Sequence, residues 1–166
     1  MKVDRAHYAP SNPYSDSPQS IGYRATISAP HMHGYACEYL IDFLNPGSRV
    51  LDIGSGSGYL THVLANLITN SSSLPSDSDG HVVGVDHIQE LIDMARNNMR
   101  KSADGRKFIE SEKVKFVTGD GRLDWKDGWV QHLSPFLQSW LSSYVRSHAG
   151  FNGQHIWVVD KKELQK

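Results

Sequence analysis

One short segment limits the folds open to this 166-residue chain more than any other. Its residues are Asp52-Ile53-Gly54-Ser55-Gly56-Ser57-Gly58, and it begins within the apolar run Arg49–Ile53. Such a run is typical of a buried parallel strand, and glycines after it allow the main chain to turn sharply and to lie directly against a ligand. A helical stripe follows, formed by Leu60, Val63, Leu64, Leu67 and Ile68.

The alternation of strand and helix continues along the chain. We predict strands over 81–86 and 113–117 and a helix over 88–101, which together indicate a parallel sheet with helices on both faces. A Ser/Asp-rich insertion occupies Asn70–Gly80 and a helical stripe lies within 130–152. A last strand, 156–159, is expected to fill the sheet edge beside the first strand, with the preceding helix as the crossover.

The region before the first strand carries two expectations. Residues 1–24 show no helical or strand period, and we expect an ordered arm anchored by burial of its three tyrosines, Tyr8, Tyr14 and Tyr23. A helix is predicted from Ser28 to about Leu44, because serine is a favoured N-cap and Pro30 is tolerated in a first turn. Its apolar stripe would be Tyr35, Tyr39, Leu40 and Phe43.

Composition excludes several classes of protein. Lys and Arg total 17 against 18 Asp and Glu, so the chain lacks the strongly basic surface of a nucleic-acid binder. No apolar run approaches the ~18–20 residues that span a bilayer. The one cysteine, Cys37, permits no internal disulfide and fits a reducing compartment. We therefore expect a cytoplasmic monomer with no nucleic-acid or membrane partner, and Cys37 as an inert core residue.

Two ligand classes fit the glycine turn. A dinucleotide fold holds a pyrophosphate at the helix N-terminus, whereas the methyl donor S-adenosylmethionine has no phosphate and needs an acid for its ammonium group or ribose hydroxyls. The glycine spacing here is G-x-G-x-G, beginning with Gly54 and Gly56, and it differs from the dinucleotide fingerprint G-x-G-x-x-G. Asp52 stands two residues before the first of these glycines. The pattern favours the methyl donor, and a turn that merely requires glycines is the plain structural alternative.

Acids follow the next two predicted strands. Asp86 ends the second strand, where a carboxylate can accept both ribose hydroxyls or can simply cap the next helix. Asp120 and Gly121 end the third strand, where the acid can accept from an adenine amino group or simply form a turn. His31 and His33 are two residues apart and do not share a helix face, so we predict no metal.

Several blocks of the sequence resemble the protein-L-isoaspartate (D-aspartate) O-methyltransferase family from residue 3 to about 128. The block over residues 26–33, Thr-Ile-Ser-Ala-Pro-His-Met-His, is the most specific of them. The others are Asp4-Arg5, Tyr14–Pro18, Ile21-Gly22, Val50–Thr61, Gly84–Leu91 and Gly119–Arg122. The resemblance implies a Rossmann-like fold that uses S-adenosylmethionine and no metal.

The same resemblance implies an activity in protein repair. Members of the family methylate the free carboxylate of isoaspartyl residues in damaged proteins, and the ester then collapses to a succinimide that hydrolyses partly to aspartate. Ser28 matches the family's active-site serine. The family's methyl-donor positions match Ala25, Thr26, Ile27, Ser28, His33, Ser57, Asp86, His87, Asp120 and Gly121.

The chemistry of the proposed reaction suits these residues. A carboxylate is already ionised at neutral pH, so methyl transfer to it needs no strong general base. Catalysis then depends mainly on positioning the carboxylate and the methyl group. Ser28 can orient the carboxylate by a hydrogen bond, and the plain alternative is a helix N-cap.

The chain departs from the family pattern after Gly128-Trp129. The family's next strand and its glycine-containing turns are absent. We interpret residues 130–152 as the product of misplaced splicing or a frameshift in the messenger RNA, after which the family's reading frame resumes. We expect one domain with an arm (1–24), a methyl-donor core (25–128) and a divergent segment (129–166). A catalytically weak or inactive fragment that only binds the methyl donor is therefore the alternative function.

Overall fold

The computed structural model describes residues 3–69 and 80–120, together with the backbone of 155–159. In chain order the elements are β1 (Gln19–Gly22), β2 (Ala25–Ile27), α1 (Pro30–Leu40), β3 (Arg49–Ile53), α2 (Tyr59–Thr69), β4 (His81–Asp86), α3 (Gln89–Met99), α4 (Ala103–Glu110), β5 (Val114–Thr118) and β6 (His155–Val159). The predicted insertion at 70–80 lies almost wholly outside the described residues, as does the predicted helix within 130–152. No helix in the described part is long and apolar enough to cross a membrane.

The main sheet has the strand order β5-β4-β3-β6. β3, β4 and β5 are parallel, as predicted, and β6 lies beside β3 at the edge expected for it. Its direction differs from the expectation, because β6 runs antiparallel and pairs Arg49 with Val159. A helical crossover would deliver a parallel strand, so the direction implied for β6 is wrong, while the crossover segment itself lies outside the described residues. The open edge of β3 offers backbone groups that either strand direction can satisfy.

The core lies between this sheet and helices α2 and α3. The predicted stripe of α2 is buried except for the half-buried Leu67, and Leu64 is fully buried. The inward side chains of α3 are Leu91, Ile92 and Ala95, each 2% exposed or less. These contacts fix both helices on the sheet and so fix the turns at the ends of β3 and β4.

Helix α1 differs from its prediction at both ends and in its buried face. Its N-cap is Ala29, with no side-chain capping bond, so Ser28 is not the cap. The predicted inward aromatics are exposed, Tyr39 by 82%. The inner face carries the predicted Leu40 together with His33 and the smaller Ala36 and Cys37. Both the predicted and the observed stripe have helical spacing, and the stripe with the smaller side chains packs against the core. A 3₁₀ turn at Ile41–Phe43 ends the helix before Leu44.

The arm is anchored by fewer tyrosines than predicted. Tyr8 is 2% exposed, and its hydroxyl bonds to the His62 ring, but Tyr14 and Tyr23 are 71% and 51% exposed. The arm also contains strand β1, which pairs with β2 in a hairpin. The hairpin therefore crosses the predicted boundary between the arm and the methyl-donor core at residue 24. The connecting residues, Tyr23 and Arg24, both have positive φ, as a tight hairpin turn requires. Neither is a usual residue for that conformation, so the hairpin had no sequence signal.

Candidate functional site

The glycine turn joins β3 to α2 at the carboxyl edge of the parallel strands. Gly54, Gly56 and Gly58 all have positive φ, at 80°, 50° and 83°. The amides of Gly54 and Ser55 donate to the carbonyl of Val85 over 2.8 and 3.0 Å, which ties the turn to the end of β4. The predicted strand–turn–helix is confirmed, and its backbone needs glycine at these positions.

Asp86 connects the turn to the neighbouring elements. Its side chain is 6% exposed, and its Oδ2 accepts the amide of Gly56 over 3.1 Å. Oδ1 accepts the amide of Ile88, the N-cap of α3, over 3.2 Å and lies 3.3 Å from Nδ1 of His87. Asp86 therefore does bond at the start of the next helix. A carboxylate has about four acceptor sites, so these bonds leave room for a ligand hydroxyl.

Asp52 is a buried acid directly beneath the turn. It is fully buried, and its Oδ2 accepts the hydroxyl of Thr61 over 2.6 Å. Its Oδ1 is buried and has no hydrogen-bond partner among the described residues. Burial, opposed by the Thr61 bond and reinforced by the charge of Asp86, raises the pKa of Asp52 to about 6. The site thus holds an acid with an unused acceptor oxygen.

The hairpin brings residues 21–33, which we call the Ser28 segment, against the glycine turn and the start of α2. Ile21 of β1 packs over Gly56, where its Cδ1 would lie 3.6 Å from an added Cβ. His33 of α1 stacks edge-on against Tyr59, the residue after Gly58, with ring centroids 5.0 Å apart. Ser28 and His33 are 3% and 2% exposed. The structure therefore places two separate sequence motifs at one location.

Arg5, which sequence reasoning gave no role, holds this arrangement together. Its Nη2 donates to the carbonyl of Ser28 over 2.6 Å, and its Nη1 lies 3.2 Å from Nδ1 of His33. Its Nε donates to the carbonyl of Pro13 over 2.7 Å, and the guanidinium carbon lies 5.2 Å from the Tyr59 ring centroid. The Asp4-Arg5 pair was visible in the sequence, but nothing local indicates that Arg5 is buried.

The other predicted site residues lie in the glycine turn, directly after β4, just after β5 and in β2. Ser57 is buried, and its carbonyl accepts from Asn98 over 3.2 Å. His87 is an exposed side chain, 79% accessible, and Asp120 is half-buried just after β5. In β2, Ile27 is buried, Ala25 is half-buried and Thr26 is exposed. Gly121 lies outside the described residues.

The two histidines considered as metal ligands point to different partners. His31 is exposed and pairs with Asp16 over 2.8 Å, whereas His33 contacts Arg5. Within residues 3–69 and 80–120, no group of three or more His, Cys, Asp or Glu could hold a metal ion. Cys37 is half-buried against the core rather than fully enclosed, and burial raises the pKa of its thiol.

Comparison with known proteins assigns the family. The family model described as Protein-L-isoaspartate(D-aspartate) O-methyltransferase matches residues 1–136. The chain belongs to this family. Protein-L-isoaspartate O-methyltransferases from Triticum aestivum and Caenorhabditis elegans are each 43% identical to it, over 127 and 120 residues. Those stretches cover 75% and 72% of this chain and 51% and 49% of the relatives.

A solved structure supports the fold of this isoaspartyl methyltransferase family member. The Plasmodium falciparum protein-L-isoaspartate O-methyltransferase, in complex with S-adenosyl-L-homocysteine, superimposes with a TM-score of 0.66 at 31% identity. The match covers 75% of this chain and 55% of that one. The fold is therefore the predicted Rossmann-like α/β fold. The chain spans about half the length of the curated relatives it matches.

Proposed function

We propose that this protein is an S-adenosylmethionine-dependent O-methyltransferase acting on the free carboxylate of isoaspartyl residues in damaged proteins and peptides. The observation that carries the proposal is the contact between the Ser28 segment and the glycine turn. A methyl donor and a carboxylate acceptor must meet in one place, and these are the two motifs that would hold them. Family membership supports the same reaction.

The described residues fit the methyl donor. S-Adenosylmethionine carries a cationic amino group, and the buried Asp52 offers an unused carboxylate oxygen beneath the glycine turn. It also carries two ribose hydroxyls, and Asp86 stands at the end of β4 with acceptor capacity left. We propose the remaining family positions, including His33, Ser57, His87, Asp120 and Gly121, as further contacts.

The chain's own contribution to the reaction would be orientation. The methyl donor supplies an activated methyl group, and the acceptor carboxylate is already ionised at neutral pH. Ser28 would donate a hydrogen bond to that carboxylate and so aim one oxygen at the methyl group. Two features support this role rather than helix capping, namely that Ala29 is the N-cap and that Ser28 is buried beside His33.

Two other functions are weaker. A fragment that only binds the methyl donor would need no group to orient an acceptor, yet Ser28, which matches the family's active-site serine, is buried in a segment that packs against the turn. A nicotinamide-dependent oxidoreductase would need a pyrophosphate turn of different glycine spacing.

We further propose a cytoplasmic location, which suits a chain with a single cysteine.

The test of the reaction type is the chemical nature of the product. We expect the chain, given an isoaspartyl peptide and a donor labelled in its methyl group, to place label in the peptide as a methyl ester. Mild base releases such a label as methanol. Label that stays on the peptide after base treatment would show transfer to nitrogen or carbon and would contradict the proposal.

Replacement of Asp86 by alanine is expected to weaken binding of S-adenosylhomocysteine on the order of tenfold, because the ribose hydroxyls lose a charged acceptor. Isothermal titration calorimetry measures this directly. The matched control is Asp93→Ala, since Asp93 is an exposed acid of α3 that pairs with Arg96. Equal affinity in both variants would leave Asp86 as a tether between the turn and α3 only.

Binding of S-adenosylhomocysteine is expected to strengthen roughly tenfold between about pH 5 and about pH 7. The pKa of Asp52 in the folded protein is about 6, so its carboxylate is mostly protonated at the lower pH. The cationic amino group of the ligand prefers the ionised form, and binding therefore improves as pH rises through that pKa. Calorimetry at several pH values tests this expectation.

The matched variant for this pH dependence is Asp52→Asn, which keeps the shape but does not titrate. It should bind S-adenosylhomocysteine weakly with no rise over the same pH range. The same rise in the variant would assign the pH dependence to another group.

A further inference from the structure

Arg5 is a buried cation, and the hydrogen bonds that it makes within the described part of the chain go to neutral acceptors. It is 4% exposed, and it contacts the carbonyls of Pro13 and Ser28 and the ring of His33. Burying a guanidinium is costly unless its N–H groups are well satisfied. Three of its five N–H groups are directed at fixed partners, two of which belong to the candidate site.

The contact with His33 determines which ring nitrogen carries the proton. A guanidinium can only donate hydrogen bonds, so Nδ1 of His33 must accept the bond from Nη1 of Arg5. A neutral imidazole with an accepting Nδ1 carries its proton on Nε2. Burial and the adjacent charge of Arg5 lower the pKa of His33 to about 4, so the ring is neutral at neutral pH.

The Nε2–H group of His33 has no protein partner in the part of the chain that the structure describes. His33 is 2% exposed, and its Nε2 is a buried atom without a hydrogen-bond partner there. A buried donor left without an acceptor destabilises the protein. Such a donor, on a ring five residues after Ser28 and against Tyr59, is available to an oxygen acceptor of a bound ligand.

We propose that Arg5 is a positioning residue of the candidate site, which fixes the Ser28 carbonyl with one arm of its guanidinium and fixes His33 as its Nε2–H tautomer with the other. Arg5 does not itself touch the reacting groups. The effect of Arg5 on ligand binding rests on the proposed function, in which His33 contacts the methyl donor. The effect of Arg5 on the His33 tautomer is independent of the proposed function.

The first measurement is the tautomer of His33 in the free protein. In ¹⁵N-labelled protein, two-bond ¹H–¹⁵N correlations distinguish the two tautomers of each histidine ring, and a His33→Gln variant assigns the His33 signals. We expect the Nε2–H form at about neutral pH. A proton found on Nδ1 in the unmodified chain would overturn the proposal without any variant of Arg5.

The variants Arg5→Met and Arg5→Lys then test the cause. Methionine keeps an unbranched stem without N–H groups, and lysine keeps the charge without the guanidinium fork. We expect both to convert His33 to a mixture of tautomers. The control is Tyr8→Phe, which removes the buried hydrogen bond from Tyr8 to His62 and leaves the hydrogen bonds of Arg5 in place. A single Nε2–H form retained in a folded Arg5 variant, or a mixture also in Tyr8→Phe, would overturn the assignment.

Calorimetry with S-adenosylhomocysteine supplies the functional readout. Arg5→Lys is expected to lose roughly tenfold in affinity relative to Tyr8→Phe, because the hydrogen bond from Nε2–H of His33 to the ligand is no longer pre-oriented. Equal affinities would overturn the positioning role. If the unmodified chain binds no S-adenosylhomocysteine, the proposed function fails, while the tautomer measurement still decides whether Arg5 orients His33.

Discussion

Replacement of Ser28 by alanine is expected to lower kcat/KM for methyl transfer roughly ten- to a hundred-fold while affinity for S-adenosylhomocysteine stays within about twofold. The proposed role of the hydroxyl is to aim the acceptor carboxylate, an interaction worth about 1.5–3 kcal/mol when the partner is charged. That interaction of the hydroxyl involves the second substrate and the transition state. Alanine keeps the backbone of residue 28, through which this position would contact the methyl donor, so affinity for the donor should not change.

The matched control for this variant is Ser20→Ala. Ser20 lies on the partner strand of the same hairpin, opposite Thr26, and is exposed. It should keep full activity. A thermal unfolding curve for each variant separates a catalytic effect from loss of structure, because a merely structural serine would lower the melting temperature and the donor affinity together. Full activity of Ser28→Ala would remove Ser28 from the catalytic proposal.

Replacement of Gly58 by alanine is expected to reduce the free energy of unfolding by about 2–5 kcal/mol. The φ of Gly58 is 83°, a conformation that costs an alanine about 1–2 kcal/mol. An added Cβ would also lie 2.9 Å from the Cβ and 3.2 Å from the Cα of Ala95 and 3.1 Å from the Phe116 ring. Overpacking of this kind costs about 1–3 kcal/mol more, because backbone of α3 must move.

Urea unfolding followed by circular dichroism measures this loss, and Gly34→Ala is the control. Gly34 is within α1, and an added Cβ there meets nothing within 4 Å. Alanine should stabilise that helix by about 0.5–1 kcal/mol, so the two glycine substitutions have opposite signs. Similar small effects from both would show that α2 and α3 are not packed as closely at Gly58 as the structure indicates.

The parts of the fold that were predictable have local causes. The turn at Gly54–Gly58 was predictable because its glycines are next to an apolar strand and an apolar helical stripe. Strands β4 and β5 were predictable because each is a short apolar run in the local sequence. α4 was missed although Ser102 is its N-cap, accepting the Gly105 amide over 3.1 Å. That helix is only eight residues long and has few apolar positions, so its period was weak.

The parts that were not predictable depend on contacts between distant residues. Arg5 reaches Ser28 across 23 positions and His33 across 28, and nothing near it in sequence indicates burial. The buried face of α1 could not be chosen by spacing, since both of its stripes are helical. The bond from Thr61 to Asp52 likewise joins a helix to a strand. These tertiary contacts shape the candidate site, whereas local patterns shape the scaffold around it.

The most direct test of the account is the comparison of two peptides that differ only in one linkage. The chain is assayed with S-adenosylmethionine and an isoaspartyl peptide, and with the same peptide containing ordinary aspartate. The account predicts methyl ester formation on the isoaspartyl peptide and at least about a hundred-fold lower kcat/KM on the aspartyl peptide, because Ser28 would hold a carboxylate presented by the altered backbone. Equal methylation of both peptides, or methylation of neither by a chain that binds S-adenosylhomocysteine, would contradict it.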